Sequence, residues 1–205
     1  MNIIKTLSAL VILSSACSAE VVISEISGAS SDRLLKYSDF GQPSLGPGIS
    51  WFEREFDGSG WLVGPSPFGF GYGGVSTNLS SALQGKTPSL YLRKAFNASA
   101  AQSASLADLI LTTEFDDGII VFVNGIEVAR CNLSAPGMFI FSDQVAFNED
   151  STEGSPVSLN LGRASDVLVE GENVVAVQVG NRTTSSPMYF SGSLRINAGV
   201  TLLNV

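Results

Sequence analysis

The sequence predicts an all-β protein, a two-sheet β-sandwich, on three observations. Short runs of β-branched, aliphatic and aromatic residues recur along the chain, separated by Gly, Asn, Asp, Ser and Pro. No segment keeps apolar residues at the 3.6-residue period for three turns, so no long amphipathic helix is expected. The runs are more numerous than a small barrel requires and suit two stacked sheets.

In chain order the predicted strands are residues 21–26, 51–56, 90–96, 106–113, 119–123, 126–130, 139–141, 157–161, 174–179 and 189–196. The first is VVISEI and the second, WFEREF, is an aromatic run ended by Asp57-Gly58. Residues 98–107 are rich in Ala and Ser and fit either a helical turn or a Ser-rich loop. The sharpest signal is Asn124-Gly125 between IIVFV and IEVAR. Asn-Gly tolerates the positive φ of both central positions in a type I′ turn, so these runs form a tight hairpin, with Val123 facing Ile126 and Val121 facing Val128. The first hairpin strand is apolar on both faces while the second carries Glu127, which reads as a central strand beside a more exposed one. Glu170-Gly171-Glu172-Asn173 is a turn leading into the buried strand VVAVQV.

The 205 residues carry 19 Asp and Glu, 11 Lys and Arg, and no His, for a net charge of −8. Without imidazole there is no Ser-His-Asp triad, no Cys-His dyad, no histidine zinc site and no histidine pH switch. The acidic balance argues against a phosphate-tracking surface, so no nucleic-acid partner is expected.

Lys5, the apolar run of residues 7–13 and the small residues Ser14 to Ala19 have the layout of a signal peptide. The run is far shorter than the roughly 20 residues of a spanning helix, and no transmembrane segment is expected. Cleavage after Ala19 removes one charge, Lys5, and takes the net charge to −9. The alternative is a lipid anchor at Cys17: Ser15-Ala16-Cys17 fits a bacterial lipoprotein site, though Leu13 lies one position early. Either way Cys131 is left without a disulfide partner and is read as a small buried hydrophobe. The expected plan is a signal peptide over 1–19, an N-terminal strand and extension over 20–50, and the sandwich over 51–205, in a secreted or cell-surface protein.

Six segments, in order, carry a family resemblance. They are Trp51 through Phe56-Asp57-Gly58-Ser59-Gly60-Trp61; Pro67-Phe68-Gly69-Phe70-Gly71; Tyr91-Leu92-Arg93-Lys94-Ala95-Phe96; Phe115-Asp116-Asp117-Gly118 through Val123-Asn124-Gly125 to Arg130; Gly171-Glu172-Asn173 through Val177; and Ser185-Ser186-Pro187-Met188-Tyr189-Phe190. Together they resemble the galactose-binding-domain-like jelly rolls of large secreted bacterial proteins and, more distantly, the sugar-binding domain of β-galactosidase-type glycoside hydrolases. The resemblance implies a two-sheet sandwich of jelly-roll topology, used as an accessory module that binds glycans or packs on neighbouring domains. It departs at Gly180, where relatives commonly carry His, and at Pro187, where they carry Asp. Any ligand role of those positions is not carried over.

Trp51, Trp61, Phe68, Phe70 and Tyr72 surround a glycine-rich stretch over 58–74. Aromatic rings stack on sugar faces, so Trp51, Trp61, Phe70 and Tyr72 are the candidate glycan-binding residues. The competing reading packs these rings as core and assigns the glycines to turns. Asp116 and Asp117, with Glu149 and Asp150, are candidate ligands of a structural calcium, a cation that takes clustered oxygens. Asp-Gly turn chemistry and solvation explain the same residues, and no Asp-x-Asp-x-Asp-Gly loop is present. The sequons at Asn78, Asn97, Asn132 and Asn181 matter only in a glycosylating host.

The expected function is a secreted, non-catalytic module binding glycan or extracellular polysaccharide. The alternative is a structural or adhesion protein whose sandwich faces bind surface proteins, and glycoside hydrolysis by paired carboxylates ranks third.

Overall fold

The computed structural model describes residues 25–27, 49–197 and 200–204. One sheet has the spatial order β1 (Glu25–Ser27), β4 (Ser89–Ala98), β9 (Gly171–Gly180), β6 (Gly118–Val123) and β7 (Ile126–Cys131). The other runs β3 (Thr77–Asn78), β2 (Phe68–Phe70), β10 (Met188–Ile196), β5 (Asp108–Asp116) and β8 (Val157–Arg163), and β11 (Val200–Asn204) also pairs with β10. All pairs are antiparallel except β2 with β3. From β4 the chain passes to β5 in the opposite sheet, returns for the β6–β7 hairpin, and then alternates through β8, β9 and β10. The two four-strand sets, β2-β10-β5-β8 and β4-β9-β6-β7, have the order of a jelly roll.

The two-residue period of each strand sends one set of side chains between the sheets. Leu90, Leu92, Val175, Val177, Val179, Ile119, Val121 and Val123 from the first sheet belong to the same core as Phe68, Phe70, Leu109, Leu111, Phe115, Met188, Phe190 and Leu194 from the second. The opposite face of the first sheet is covered too. A segment over 49–61 lays Trp51 and Phe52 against Phe122, and Trp51 against Tyr91. The loop over 132–147 packs Leu133, Ile140 and Ala146 on Ile120. This second layer explains why β6 reads as apolar on both faces and the 174–179 run of β9 as a buried strand: both faces are buried.

Two predicted strands are corrected. Residues 51–56 form successive turns instead of a strand, and residues 139–141 join no ladder. In the first, the apolar rings are buried by folding across the sheet, and backbone carbonyls of Trp51, Glu53 and Phe56 accept from the Arg93 guanidinium. The Phe56 ring lies 5.2 Å from that cation. In the second, Ile140 reaches the covering cluster while Phe139 and Phe141 meet edge to face. The short strands β2, β3 and β11 were not predicted. A Cβ at Gly69 would lie 1.9 Å from the Met188 carbonyl oxygen, so β2 approaches β10 closely only because position 69 lacks one.

The hairpin is present, with Asn124 at φ 51° and Gly125 at φ 90°. Val123 faces Ile126, but a bulge between Val121 and Phe122 sets Val121 opposite Ala129 and not Val128. β7 is an edge strand and β6 lies inside the sheet. Within residues 98–107 the helical-turn alternative applies: Ala100–Ser103 is one turn, capped reciprocally by Ser99 and Gln102. Of the predicted first strand, 25–26 lie in β1 and 21–24 fall outside the described residues. Cys131 is half-buried and unpaired, its thiol pushed up by burial and then by Asp150, while Cys17 lies outside the described residues. Among the described residues no helix is long and apolar enough to cross a membrane.

Candidate functional site

The strand register gathers several loops at one end of the sandwich. Pairing of Met188 with Phe70, Tyr189 with Asp116, and Gly180 with both Ser89 and Gly118 brings the segments around 71–76, 116–118, 149–152 and 181–187 together. Their centre is Asp116-Asp117, buried at 4% and 3% exposure. Asp117 is spent on the backbone. Its Oδ1 accepts from the Asp150 amide at 2.8 Å and its Oδ2 from the Arg182 amide at 2.7 Å. The Asp117 carbonyl also accepts from the Asn132 side chain.

Asp116 faces a different loop. The Tyr72 hydroxyl donates to Asp116 Oδ2 at 2.8 Å and lies 3.1 Å from Ser151 Oγ. The Tyr72 ring meets Tyr189 edge to face at 5.7 Å. Burial, foremost, pushes the Asp116 carboxyl up to about 7; a hydrogen bond to Asp117 and the charges of Asp117 and Asp150 act in the same direction, and the Tyr72 bond opposes them. The Tyr72 phenol is itself raised, first by burial.

The structure separates the residues expected to bind glycan. Phe70, at 1% exposure, belongs to the core and offers no ring to a ligand. Trp51 and Trp61 stack on each other at 6.3 Å on the outer face of the first sheet, and Trp51 is packed edge-on by Phe52, Tyr91 and Phe122. They are part of the second layer, far in topology from Tyr72 at the loop end. The acidic residues do converge there, but as hydrogen-bonding partners: Asp150 contributes its backbone amide and Glu149 is exposed. Among the described residues no group of three or more acidic, Cys or His side chains is placed to hold a metal ion.

Sequence reasoning missed Ser151, Arg182, Asn132 and Asn181. Asn181 is fully buried, donates to the Ser186 carbonyl and accepts from the Ser186 hydroxyl, which fixes the 181–187 loop. Its place directly after the buried β9 strand was the one available signal; nothing in the sequence marks Ser151. The departure at Gly180 has a physical counterpart, since a Cβ there would lie 2.5 Å from Leu133 Cδ2. Leu133 occupies the room that a larger side chain at that position would need.

No family model matches the chain, and no curated protein matches it. Among solved structures it is similar to a β-glucuronidase of Bacteroides uniformis, at 13% identity and a TM-score of 0.41 over 72% of this chain and 16% of that one. A glycosyl hydrolase family 2 member of Bacteroides cellulosilyticus gives 15% identity and 0.38 over 71% of this chain and 19% of that one. The PA14 domain of the MpAFP antifreeze protein gives 15% identity and 0.30 over 57% and 47%. The chain spans 9% of a β-mannosidase of Dictyoglomus thermophilum and 16% of a second B. uniformis β-glucuronidase structure. These are distant structural likenesses, and the chain spans less than a fifth of each of these glycoside hydrolases and about half of the PA14 domain chain.

Proposed function

We propose that the domain is a secreted, non-catalytic carbohydrate-binding module whose ligand docks at the loop end of the jelly roll, against Tyr72 and Ser151, with buried Asp116 holding the Tyr72 hydroxyl in place. The carrying observation is the convergence of the Tyr72 ring from the loop after β2, the Asp116 carboxyl from the end of β5 and the Ser151 hydroxyl from the loop before β8, with the carboxyl and hydroxyl oxygens 2.8 and 3.1 Å from the Tyr72 oxygen. A saccharide presents an apolar ring face bordered by hydroxyls. Its complement is an aromatic side chain beside fixed donors and acceptors, which is what these loops assemble. The leader-like pattern of the first nineteen residues supports secretion.

Two features support binding over turnover and over adhesion. Glycoside hydrolysis needs two carboxyls flanking the substrate, one available as nucleophile or base. Asp117 is buried and each of its oxygens is held by a backbone amide, so it is a structural acceptor. Adhesion through a sandwich face needs that face open, and the first sheet's outer face is covered by the 49–61 segment and the 132–147 loop.

The test is a glycan array followed by calorimetric titration of wild type, Tyr72→Ala and Trp61→Ala. Wild type is expected to bind with micromolar to millimolar affinity and little salt dependence, since stacking needs no net charge. Tyr72→Ala should weaken binding about tenfold or more, roughly 1.4 kcal/mol, with Trp61→Ala unchanged. The reverse pattern would move the site to the Trp51–Trp61 layer. Binding of a basic protein with steep salt dependence, and of no glycan, would establish the adhesion alternative.

A further inference from the structure

We infer, resting on that reading of the loop end, that Phe147 is a second sugar platform there, so that the site takes an oligosaccharide and not a single sugar. Along the loop before β8 the side chains alternate: Ala146, at 1% exposure, packs with Ile120, Leu133 and Ile140, while Val145 and Phe147 on either side of it are 39% and 60% exposed. An exposed ring on a loose loop can fold back onto apolar surface. Here the backbone is fixed residue by residue. The amides of Ala146 and Phe147 donate to the carbonyls of Asn181 and Asn132 at 3.0 and 3.1 Å. The Asn132 side chain then grips Asn148 twice, accepting from its amide at 3.1 Å and donating to its carbonyl at 2.7 Å. Beyond it the Asp150 amide is held by Asp117 and the Thr152 amide by the Phe115 carbonyl. The loop therefore holds a large apolar ring out in water, forgoing its burial in the free protein, and is ordered in advance for a partner that covers it.

The surroundings of the ring favour a sugar as that partner. Phe147 is followed by Asn148, Glu149 and Asp150, all exposed. The bonds of Ala146 to Asn181, and of Asp150 and Arg182 to the two oxygens of Asp117, lay this stretch beside a second polar one that begins with exposed Arg182 and Thr183. The core of a protein interface is depleted in charge around its aromatic anchors, whereas a ring bordered by amide, carboxyl and hydroxyl groups complements a sugar face rimmed by hydroxyls. The same loop continues to Ser151, whose hydroxyl lies 3.1 Å from the Tyr72 oxygen. Four residues of chain reach at most about 14 Å, so Phe147 and Tyr72 stand on one strip of the loop end. A chain of sugars reaches along that strip: one unit meets Tyr72 and Ser151, and a further unit lies on Phe147. Phenylalanine offers no polar handle, so this second position adds apolar contact with little preference for the sugar that fills it.

The experiment is an NMR titration of the full chain with glucose, mannose, galactose and xylose and with the linear di- and trisaccharides of each, in wild type, Phe147→Ala, Phe147→Trp and Tyr72→Ala. In at least one series wild type should bind the trisaccharide about tenfold more tightly than the monosaccharide. Phe147→Ala should lose that gain while keeping the monosaccharide affinity and, because the ring is exposed, the unfolding midpoint. Phe147→Trp should keep the gain, and Tyr72→Ala should weaken binding at every length. Equal wild-type affinity for mono- and trisaccharide, or a gain that survives in Phe147→Ala, overturns the second platform and leaves the loop-end reading in place. Loss of the gain in Phe147→Ala with no effect of Tyr72→Ala does the reverse. Binding of no sugar at any length overturns both, and self-association in sedimentation that Phe147→Ala abolishes would then assign the ring to a contact between copies of the chain.

Discussion

The two ends of the sandwich solve the same problem with different chemistry. At the hairpin end, Asn124 and Asn173 hold the turns. Asn124 donates to the Val167 carbonyl and to Asn173 Oδ1 at 2.8 Å each and accepts from the Val174 amide; Asn173 accepts from the Val169 amide and donates to the Val169 and Gly171 carbonyls. At the loop end, Asp116 and Asp117 take that place, tying Tyr72, Asp150 and Arg182 to one buried point. A primary amide carries its own donors and acceptor and is neutral at every accessible pH, so the first end is permanently closed. Adjacent carboxyls lack a donor unless one is protonated. The second end therefore holds a buried group whose charge changes with pH, and it is the end that carries the aromatic and hydroxyl groups suited to a ligand.

Breaking the amide end should produce the largest effect. Asn173 is fully buried, and its truncation orphans backbone groups of Val169 and Gly171. Asn173→Ala should cost about 3 kcal/mol or more, to the same extent across pH, as read from chemical denaturation at several pH values. A cost that varied with pH would erase the contrast between the ends. Gly125→Val should follow at about 2 kcal/mol, because a β-branched residue is strained at φ 90° and its Cβ would meet Glu53 Cγ at 3.3 Å. An unchanged unfolding midpoint would show that the turn relaxes at little cost.

The hairpin end was legible in the sequence because its chemistry is local. Asn124-Gly125 is a two-residue requirement for positive φ, and Asn173 stands at the entry of a run whose six apolar or amide residues announce a buried strand. Even there the bulge that moved Val121 from Val128 to Ala129 left no mark, since either register keeps apolar residues opposed. The loop end was legible only as composition. Asp116-Asp117-Gly118 was noticed as an acidic turn, but its partners lie about 30 to 65 residues away along the chain and are mostly backbone amides, which every residue has. Trp51 and Phe52 misled for the converse reason: an aromatic run looks the same whether it pairs as a strand or folds over a sheet, and the choice was made by Arg93, forty residues on, binding the carbonyls of that segment.

Changing pH should have a smaller effect than deleting Asn173, and it should act on one end alone. Because the folded-state Asp116 carboxyl lies near 7, above its unfolded value, its contribution to stability is complete below the ordinary carboxylate range and is lost as pH rises through about 7. The thermal midpoint should therefore decline by a few degrees between the ordinary carboxylate range and about pH 7 and level off above it. In Asp116→Asn that decline should flatten, while in Gly125→Val it should persist with an unchanged slope, the whole curve lying lower. Equal slopes in all three proteins would locate the pH dependence elsewhere.

The smallest expected effect is that of Tyr72→Phe. The substitution keeps the ring and its contact with Tyr189 but removes the donor to Asp116 and the acceptor for Ser151. Tyr72 is half-buried and Ser151 exposed, so water can replace the lost partners, and the cost should be about 0.5–1 kcal/mol against the larger cost at buried Asn173. The direction of the pH effect is more informative than the size. The Tyr72 hydroxyl bond favours the ionised form of Asp116, opposing burial and Asp117. Its removal should raise the Asp116 carboxyl further and shift the loss of stability to higher pH, although a stabilising hydrogen bond has been deleted. A shift to lower pH would mean that Tyr72 had been holding the protonated form of Asp116.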